Sequence, residues 1–157
     1  MLLLRMPPYR QSLAGSLLGA REAVMAPIRP ILRETNLSEQ QWRVMRVLND
    51  VGTIDATSLA GAAMLHAPSV TRILRELEQR NLLRRAPDTV DARRQVIALT
   101  DDGRATIAAT SERTMDILAD YGALFGERRL AHLVDELQAL TGTIDAYAKK
   151  VLISTES

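Results

Sequence analysis

The 157-residue chain contains no cysteine. Disulfides, thiolate metal sites, cysteine nucleophiles and cysteine-based redox sensing are therefore excluded. Histidine is nearly absent too: His66 and His132 stand far apart, so a histidine metal cluster cannot form within one chain. Aromatic residues make up 3%, namely Trp42, Phe125, Tyr9, Tyr121 and Tyr147. So few rings exclude an exposed platform for stacking bases. Neither sign of charge dominates, with 20 Lys and Arg against 19 Asp and Glu. Bulk charge thus names no partner, and any nucleic-acid footprint has to be local. No uninterrupted apolar run approaches the ~18 residues of a bilayer span. Met1 to Leu4 is apolar, but Arg5, Pro7, Pro8 and Arg10 follow at once. That is too short, and in the wrong order, for a secretory leader. A cytoplasmic protein without a membrane partner is expected. Walker A, G-x-G-x-x-G and G-x-S-x-G patterns are missing as well. Ser58, His66 and Asp55 have no such elbow beside them. No catalytic, cofactor or metal site is expected.

What is present favours helix. Hydrophobic residues make up 46%, ordinary for a globular chain with a real core, and Ala and Leu dominate. Residues 1–9 read as a flexible arm. From about Ser12, Leu17, Leu18, Val24, Met25, Ile28, Ile31 and Leu32 recur at helical spacing. Pro27 and Pro30 predict a kink or break within that stretch, and Asn36 ends it. Ser38 and Gln41 fit a capping box for a second helix, which stops at Gly52. Its Val44, Val47, Leu48 and Val51 form one face; Trp42, Met45, Arg46 and Asn49 lie nearly opposite. Such a helix has to touch two things. Thr53 to Asp55 is a short extended link, residues 56–63 a short helix, and Met64 to His66 a tight turn.

Pro68 suits the first position of the next helix, which runs to about Arg80. Val70, Ile73, Leu74 and Leu77 are its buried face, and Asn81 its stop. The period then changes. Residues 82–85 and 95–99 read as two strands joined by a long polar loop. Thr100 caps a helix with Asp101 and Asp102 in its first turn, running to Tyr121 or Phe125. Gly126 breaks it. A last helix runs from Glu127 to about Ile153, with Leu130, Leu133, Val134, Leu137, Leu140 and Ile144 as its stripe.

Two short helices followed by a hairpin make a winged helix-turn-helix, whose recognition helix, residues 68–80, would enter the DNA major groove. Opposite its apolar stripe stand Pro68, Arg72, Arg75 and Gln79, with Ser69 and Thr71 at the edges. Arginine can bridge guanine O6 and N7, and Ser or Thr can bond bases or phosphates. Between Ala67 and Ala98 there are seven arginines, including Arg84, Arg93 and Arg94, against four acids. Charge alone would equally fit a solvated helix and hairpin; the turn and wing favour a reader of DNA.

The segment from Asp91 to Thr100 (DARRQVIALT) matches the D-x-R-x-x-x-x-x-L-T pattern of the MarR family of bacterial transcription regulators. The stretch PSVTRILRELEQRNLLRR is also similar to that family's, and the resemblance spans roughly residues 12–150. Arg21-Glu22-Ala23, Leu37 to Val44 and Asp91 to Arg94 look most like the subfamily of repressors of homoprotocatechuate (3,4-dihydroxyphenylacetate) degradation operons. The resemblance implies a mainly α fold with a small β-wing. It implies an arm and dimerisation helix over 1–36, a winged helix-turn-helix over 37–100 and C-terminal dimerisation helices over 101–157. It further implies a homodimer reading a pseudo-palindromic duplex operator. By position, Ser69, Thr71, Arg72 and Arg75 would face the major groove, while Arg93 and Arg94 approach the minor groove. Asp91 would position Arg93 by a salt bridge. Ala92 stands where many members carry Arg.

Arg21 falls in the middle of the first helix's stripe, where a charge needs a partner. That partner is either the carboxylate of a small aromatic acid, held bidentately, or an acid of a partner chain's terminal helix. Trp42 and Arg46 would add a ring wall and a second cation, and His66 a bond to a phenolic hydroxyl. In the family, such a ligand changes the spacing of the two reading heads. The function expected is a ligand-released repressor of an aromatic-acid catabolic operon. A regulator of efflux or stress genes answering another ligand, and a helical dimer binding only proteins, are the alternatives.

Overall fold

Ser38 and Gln41 form the reciprocal pair that their spacing predicts. The computed structural model describes the backbone of residues 7–155 and the side chains to Val151. In it the Gln41 N–H donates to the Ser38 hydroxyl at 3.1 Å, and the Ser38 N–H donates to the Gln41 carboxamide at 3.0 Å. Two otherwise orphaned donors are satisfied, and α3 (Glu39–Val51) starts there. Before it come one 3-10 turn (Tyr9–Gln11), α1 (Leu13–Met25) and α2 (Ile28–Glu34). The expected break falls at Ala26–Pro27. Most of the expected N-terminal arm lies outside the described residues.

Gly52, at φ 79°, ends α3. β1 (Thr53–Ile54), α4 (Ala56–Ala62) and α5 (Ala67–Gln79) follow. Asp55 caps α4, accepting from the N–H groups of Thr57 and Ser58 at 3.1 and 3.0 Å. Pro68 occupies the second helical position of α5 rather than the first, still within the turn that needs no N–H donor. Asn81, at φ 56°, turns the chain into β2 (Leu83–Pro87), which β3 (Gln95–Leu99) follows.

One expectation is corrected here. The sheet has three strands, in the order β1-β3-β2, not two. Thr53 and Ile54 pair antiparallel with Ala98 and Ile97, while Leu83 to Pro87 pair with Leu99 to Gln95. The link read as merely extended is thus an edge strand tying α3 to the wing.

α6 (Asp101–Phe125) starts against the sheet. The Thr100 hydroxyl accepts the Gly103 N–H at 3.0 Å and donates to the Asn81 carbonyl at 2.6 Å. A Cβ at position 103 would lie 1.9 Å from the Leu82 carbonyl oxygen, so glycine is needed for this close approach. Gly126, at φ 96°, separates α6 from α7 (Glu127–Thr155).

Residues to Thr114 form one compact unit and Met115–Ser157 a second. The core of the first gathers Leu32, Val44, Met45, Leu48, Leu59, Ile73, Leu74, Leu77, Leu83, Ile97 and Ile107, all nearly inaccessible. Each contributes about 1.5–3 kcal/mol by leaving water. Two parts of the expected stripes keep substantial exposure: Val51 of α3, and Leu17, Leu18 and Val24 of α1. In the second unit, Leu133, Leu137, Ile144, Tyr147 and Val151 of α7 are exposed. No helix among the described residues is long and apolar enough to cross a membrane.

Candidate DNA-reading face and effector cleft

α5 divides sharply. Val70, Ile73, Leu74 and Leu77 are buried, while Pro68, Thr71, Arg72 and Arg75 are exposed and Ser69 half-buried. The arginines are not equivalent. Arg72 pairs with Glu76 one turn on, at 2.7 Å. Glu76 is itself held by the Gln41 carboxamide, which donates at 2.9 Å. Arg75 has no ion pair among the described residues. The Thr71 hydroxyl donates to the Ala67 carbonyl at 3.2 Å.

The wing shows the same division. Arg84 and Arg93 are exposed and make no ion pair among the described residues. Arg85 pairs with Glu78 at 3.2 Å. Arg94 turns back to Asp55, 3.1 Å away at the start of α4. The Asp91 carboxylate accepts the backbone N–H of Arg93 at 3.1 Å, instead of pairing with its guanidinium as expected. Asp88 accepts the Val90 N–H at 2.8 Å in the same way. These aspartate turns shape the tip locally. Neither turn engages the Arg93 side chain.

α1, α3 and the end of α4 enclose an open cleft of about 530 Å³. Trp42, Val24, Met25 and Val47 give it apolar walls; Arg21, Arg43, Arg46, Glu39 and Asp50 give it charge. Arg21, Trp42 and Arg46 therefore meet in one place. His66 is exposed and is not among the lining residues; it is the residue before α5, and its side chain makes no capping bond.

Arg21 is half exposed rather than sunk in a stripe, and Leu17, Leu18 and Val24 around it on α1 keep exposure too. Its carboxylate partners lie in its own chain: Glu22 at 2.7 Å, and Glu39. Arg29 joins the same two acids, completing a closed ring of alternating charge. Its hydrogen bond from Arg29, with that from Arg21, holds the Glu39 carboxyl below the usual range, against the opposing effect of burial. Arg46 has no ion pair among the described residues, and its guanidinium stands 5.8 Å from the Trp42 ring centre. It is the available cation of the cleft.

Sequence reasoning missed Glu39, Arg43 and Asp55. The D-x-x-S pattern from Asp55 to Ser58 signals a cap and could have found Asp55. Glu39 and Arg43 stand one turn apart on the face that carries Trp42 and Arg46, so the same helical spacing pointed to them.

Residues 37–95 match the MarR family. The homoprotocatechuate degradative operon repressor of Escherichia coli is 36% identical over 132 residues, covering 82% of this chain and 89% of that protein. The chain belongs to the MarR family. Two solved structures extend the likeness. NadR in complex with 4-hydroxyphenylacetate superposes with a TM-score of 0.77 at 33% identity, covering 87% of this chain and 97% of NadR. The transcriptional repressor CouR bound to a 23-mer DNA duplex gives 0.73 at 25% identity, covering 88% and 98%. The winged helix-turn-helix expected from the sequence is the fold observed, and the MarR relatives are transcriptional regulators.

Proposed function

We propose that this MarR-family chain is a homodimeric repressor of an aromatic-acid catabolic operon, released from its operator by a phenolic or aromatic carboxylate. The carrying observation is the cleft, where the Arg46 guanidinium, without an ion pair among the described residues, adjoins the Trp42 ring. Its lining holds three arginines against two acids, Glu39 and Asp50. A planar monoanion suits both features: a ring for the walls, a carboxylate for Arg46. Arg21, already engaged by Glu22 and Glu39, orients the acids rather than waiting for a ligand. A phenolic hydroxyl would donate to Glu39, which stays ionised. His66 would act from the turn, not from the cleft. The relatives support the same reading, one being a homoprotocatechuate operon repressor and another holding 4-hydroxyphenylacetate.

α7 supports a second copy. Leu130, Leu133, Leu137, Leu140, Ile144, Tyr147 and Val151 follow each other at alternating steps of three and four. That is the seam spacing of paired helices, and five of the seven are exposed within the chain. The domain division is part of this proposal: helices of 1–36 and 101–157 pair the protomers, and 37–100 reads DNA. Each protomer then presents Ser69, Thr71, Arg72 and Arg75 to a major groove, with Pro68 starting the helix. Arg93 would enter the adjacent minor groove, Arg84 would face phosphate, and Arg94 would support the wing. Two such heads, about 34 Å apart, read successive turns on one face of the duplex.

The test is a gel shift with the chain's own upstream DNA at two salt concentrations, with and without 4-hydroxyphenylacetate. Specific binding with a steep salt dependence, relieved by the acid, is expected. Binding that 4-hydroxyphenylacetate does not relieve would favour another effector, and no specific binding at all would refute the regulator.

A further inference from the structure

Arg43 stands between the cleft and the helix-turn-helix. It lines the cleft from α3. Its guanidinium donates to the carbonyls of Ala63 at 3.2 Å and Met64 at 3.4 Å, two residues on the α4 side of the same cleft. Those carbonyls lie just past the end of α4, where a helix collects negative partial charge and attracts a cation. The chain is tight at this point. Met64 has φ 52°, the Leu65 N–H donates to the Ala60 carbonyl at 2.9 Å, and α5 begins at Ala67. No other described side chain donates a hydrogen bond to residues 63–66.

We propose that Arg43 is a positioning residue that links occupancy of the cleft to the setting of α5. This rests on the reading of the cleft as an aromatic-acid site. An incoming carboxylate is a stronger acceptor than a neutral carbonyl, because hydrogen bonds between ionised partners are roughly twice as strong. Arg43 and Arg46 are three residues apart and share a helix face. A carboxylate has lone pairs enough for both. Once it binds, the Arg43 guanidinium leaves Ala63 and Met64, and the turn ahead of α5 loses its one side-chain donor and its neighbouring cation. The ligand favours the released form, so it shifts the population towards that form. By linkage, DNA that holds α5 in its reading position lowers ligand affinity by the same factor.

The experiment compares the full-length wild type with Arg43→Met and Arg43→Lys. Calorimetry first measures 4-hydroxyphenylacetate binding to each protein without DNA. Anisotropy then measures affinity for a duplex enriched from a random pool by the wild type, with and without saturating acid. The wild type is expected to lose operator affinity by about tenfold or more on adding the acid, an ordinary size for allosteric coupling. Arg43→Met is expected to bind the acid and the duplex each more weakly than the wild type, yet to show almost no such ratio at saturating acid, with Arg43→Lys intermediate. A merely structural role would weaken DNA binding equally with and without acid, so a wild-type ratio in Arg43→Met overturns the proposal. Hydrogen exchange on the wild type keeps the test open should that variant not fold. Saturating acid should speed exchange of the Leu65 amide, and unchanged or slower exchange overturns the proposal. A wild type that binds no 4-hydroxyphenylacetate in the calorimetry ends the reading of the cleft as a site for that acid, and this coupling with it. That result is distinct because neither DNA nor a variant is involved.

Discussion

The guanidinium of Arg94 meets the Asp55 carboxylate at 3.1 Å, across 39 residues of sequence. The same carboxylate caps α4, so the wing is moored to the first turn of the helix-turn-helix. Arg93, the next residue back, is unmoored. Two adjacent arginines of one motif therefore have different tasks. Arg93→Ala should weaken DNA binding and lower the salt slope by about one, as the loss of one phosphate or groove cation does. Arg94→Ala should leave that slope nearly unchanged while lowering thermal stability, and Asp55→Asn should resemble it. Equal salt slopes for Arg93→Ala and Arg94→Ala would make Arg94 a DNA contact.

On α5, Arg75 has no ion pair among the described residues and Arg72 is held by Glu76. Arg75→Ala should reduce specific affinity by about ten- to a hundredfold, the worth of one good base contact, in a protein that melts normally. Glu76→Gln releases Arg72 and removes a negative charge from the reading face. Affinity for random duplex at low salt should rise by about two- to fivefold, matching the energy of an exposed ion pair. Anisotropy titrations measure both effects.

Gly103→Ala places a methyl group 1.9 Å from the Leu82 carbonyl oxygen. Backbone cannot move aside as a flexible side chain does, so a loss of about 1–3 kcal/mol is expected, as for other forced close packing. Urea denaturation measures it. A midpoint equal to that of the wild type would show that α6 can start elsewhere.

Acid should weaken the first unit through Glu39. Arg29 and Arg21 hydrogen bonds lower its folded-state pKa. The ionised form is therefore bound more tightly in the folded chain than in the unfolded one. The resulting stabilisation is complete above the unfolded value of about 4.3 and is lost as pH falls through the lower folded value. Asp55 acts in the same direction, chiefly through the Ser58 N–H that it accepts. Chemical denaturation across that window should show a smaller acid-dependent decline in Glu39→Gln. An identical decline would remove Glu39 from the acid response.

The α7 seam predicts assembly. Ile144→Glu places a charge on a face whose spacing calls for a partner helix. Sedimentation should then show monomers at concentrations where the wild type is dimeric, with operator affinity reduced. A variant that stays dimeric would move the interface elsewhere.

Local signals were easily read. Ser38 with Gln41, Pro27, Asn81 and Gly126 each act on a neighbouring turn, and the Val70–Ile73–Leu74–Leu77 stripe has a strong helical period. From these the order of elements and the reading face of α5 follow. Contacts between distant segments were not legible. Thr53 and Ile54 are too few to show a strand period, and their partners lie more than 40 residues on. Arg21 looked buried because its neighbours on α1 are apolar. Yet Leu17, Leu18 and Val24 on that face keep exposure, and its acid, Glu39, comes from another helix. Nothing near Arg94 points to Asp55, and nothing near Arg43 points to the carbonyls of Ala63 and Met64. Pairings of long, charged side chains depend on how elements meet, which a periodic pattern does not encode.

The elbow at Ala26–Pro27 is crossed by the Arg29–Glu22 ion pair, with Glu39 anchoring the far side. An interruption that would otherwise let α1 swing is thereby splinted with electrostatic struts. Dissolved ions weaken such struts, just as they compete for duplex phosphates. Ionic strength thus acts on this regulator in two places, so a log–log salt titration of operator binding blends counterion displacement with a softening joint.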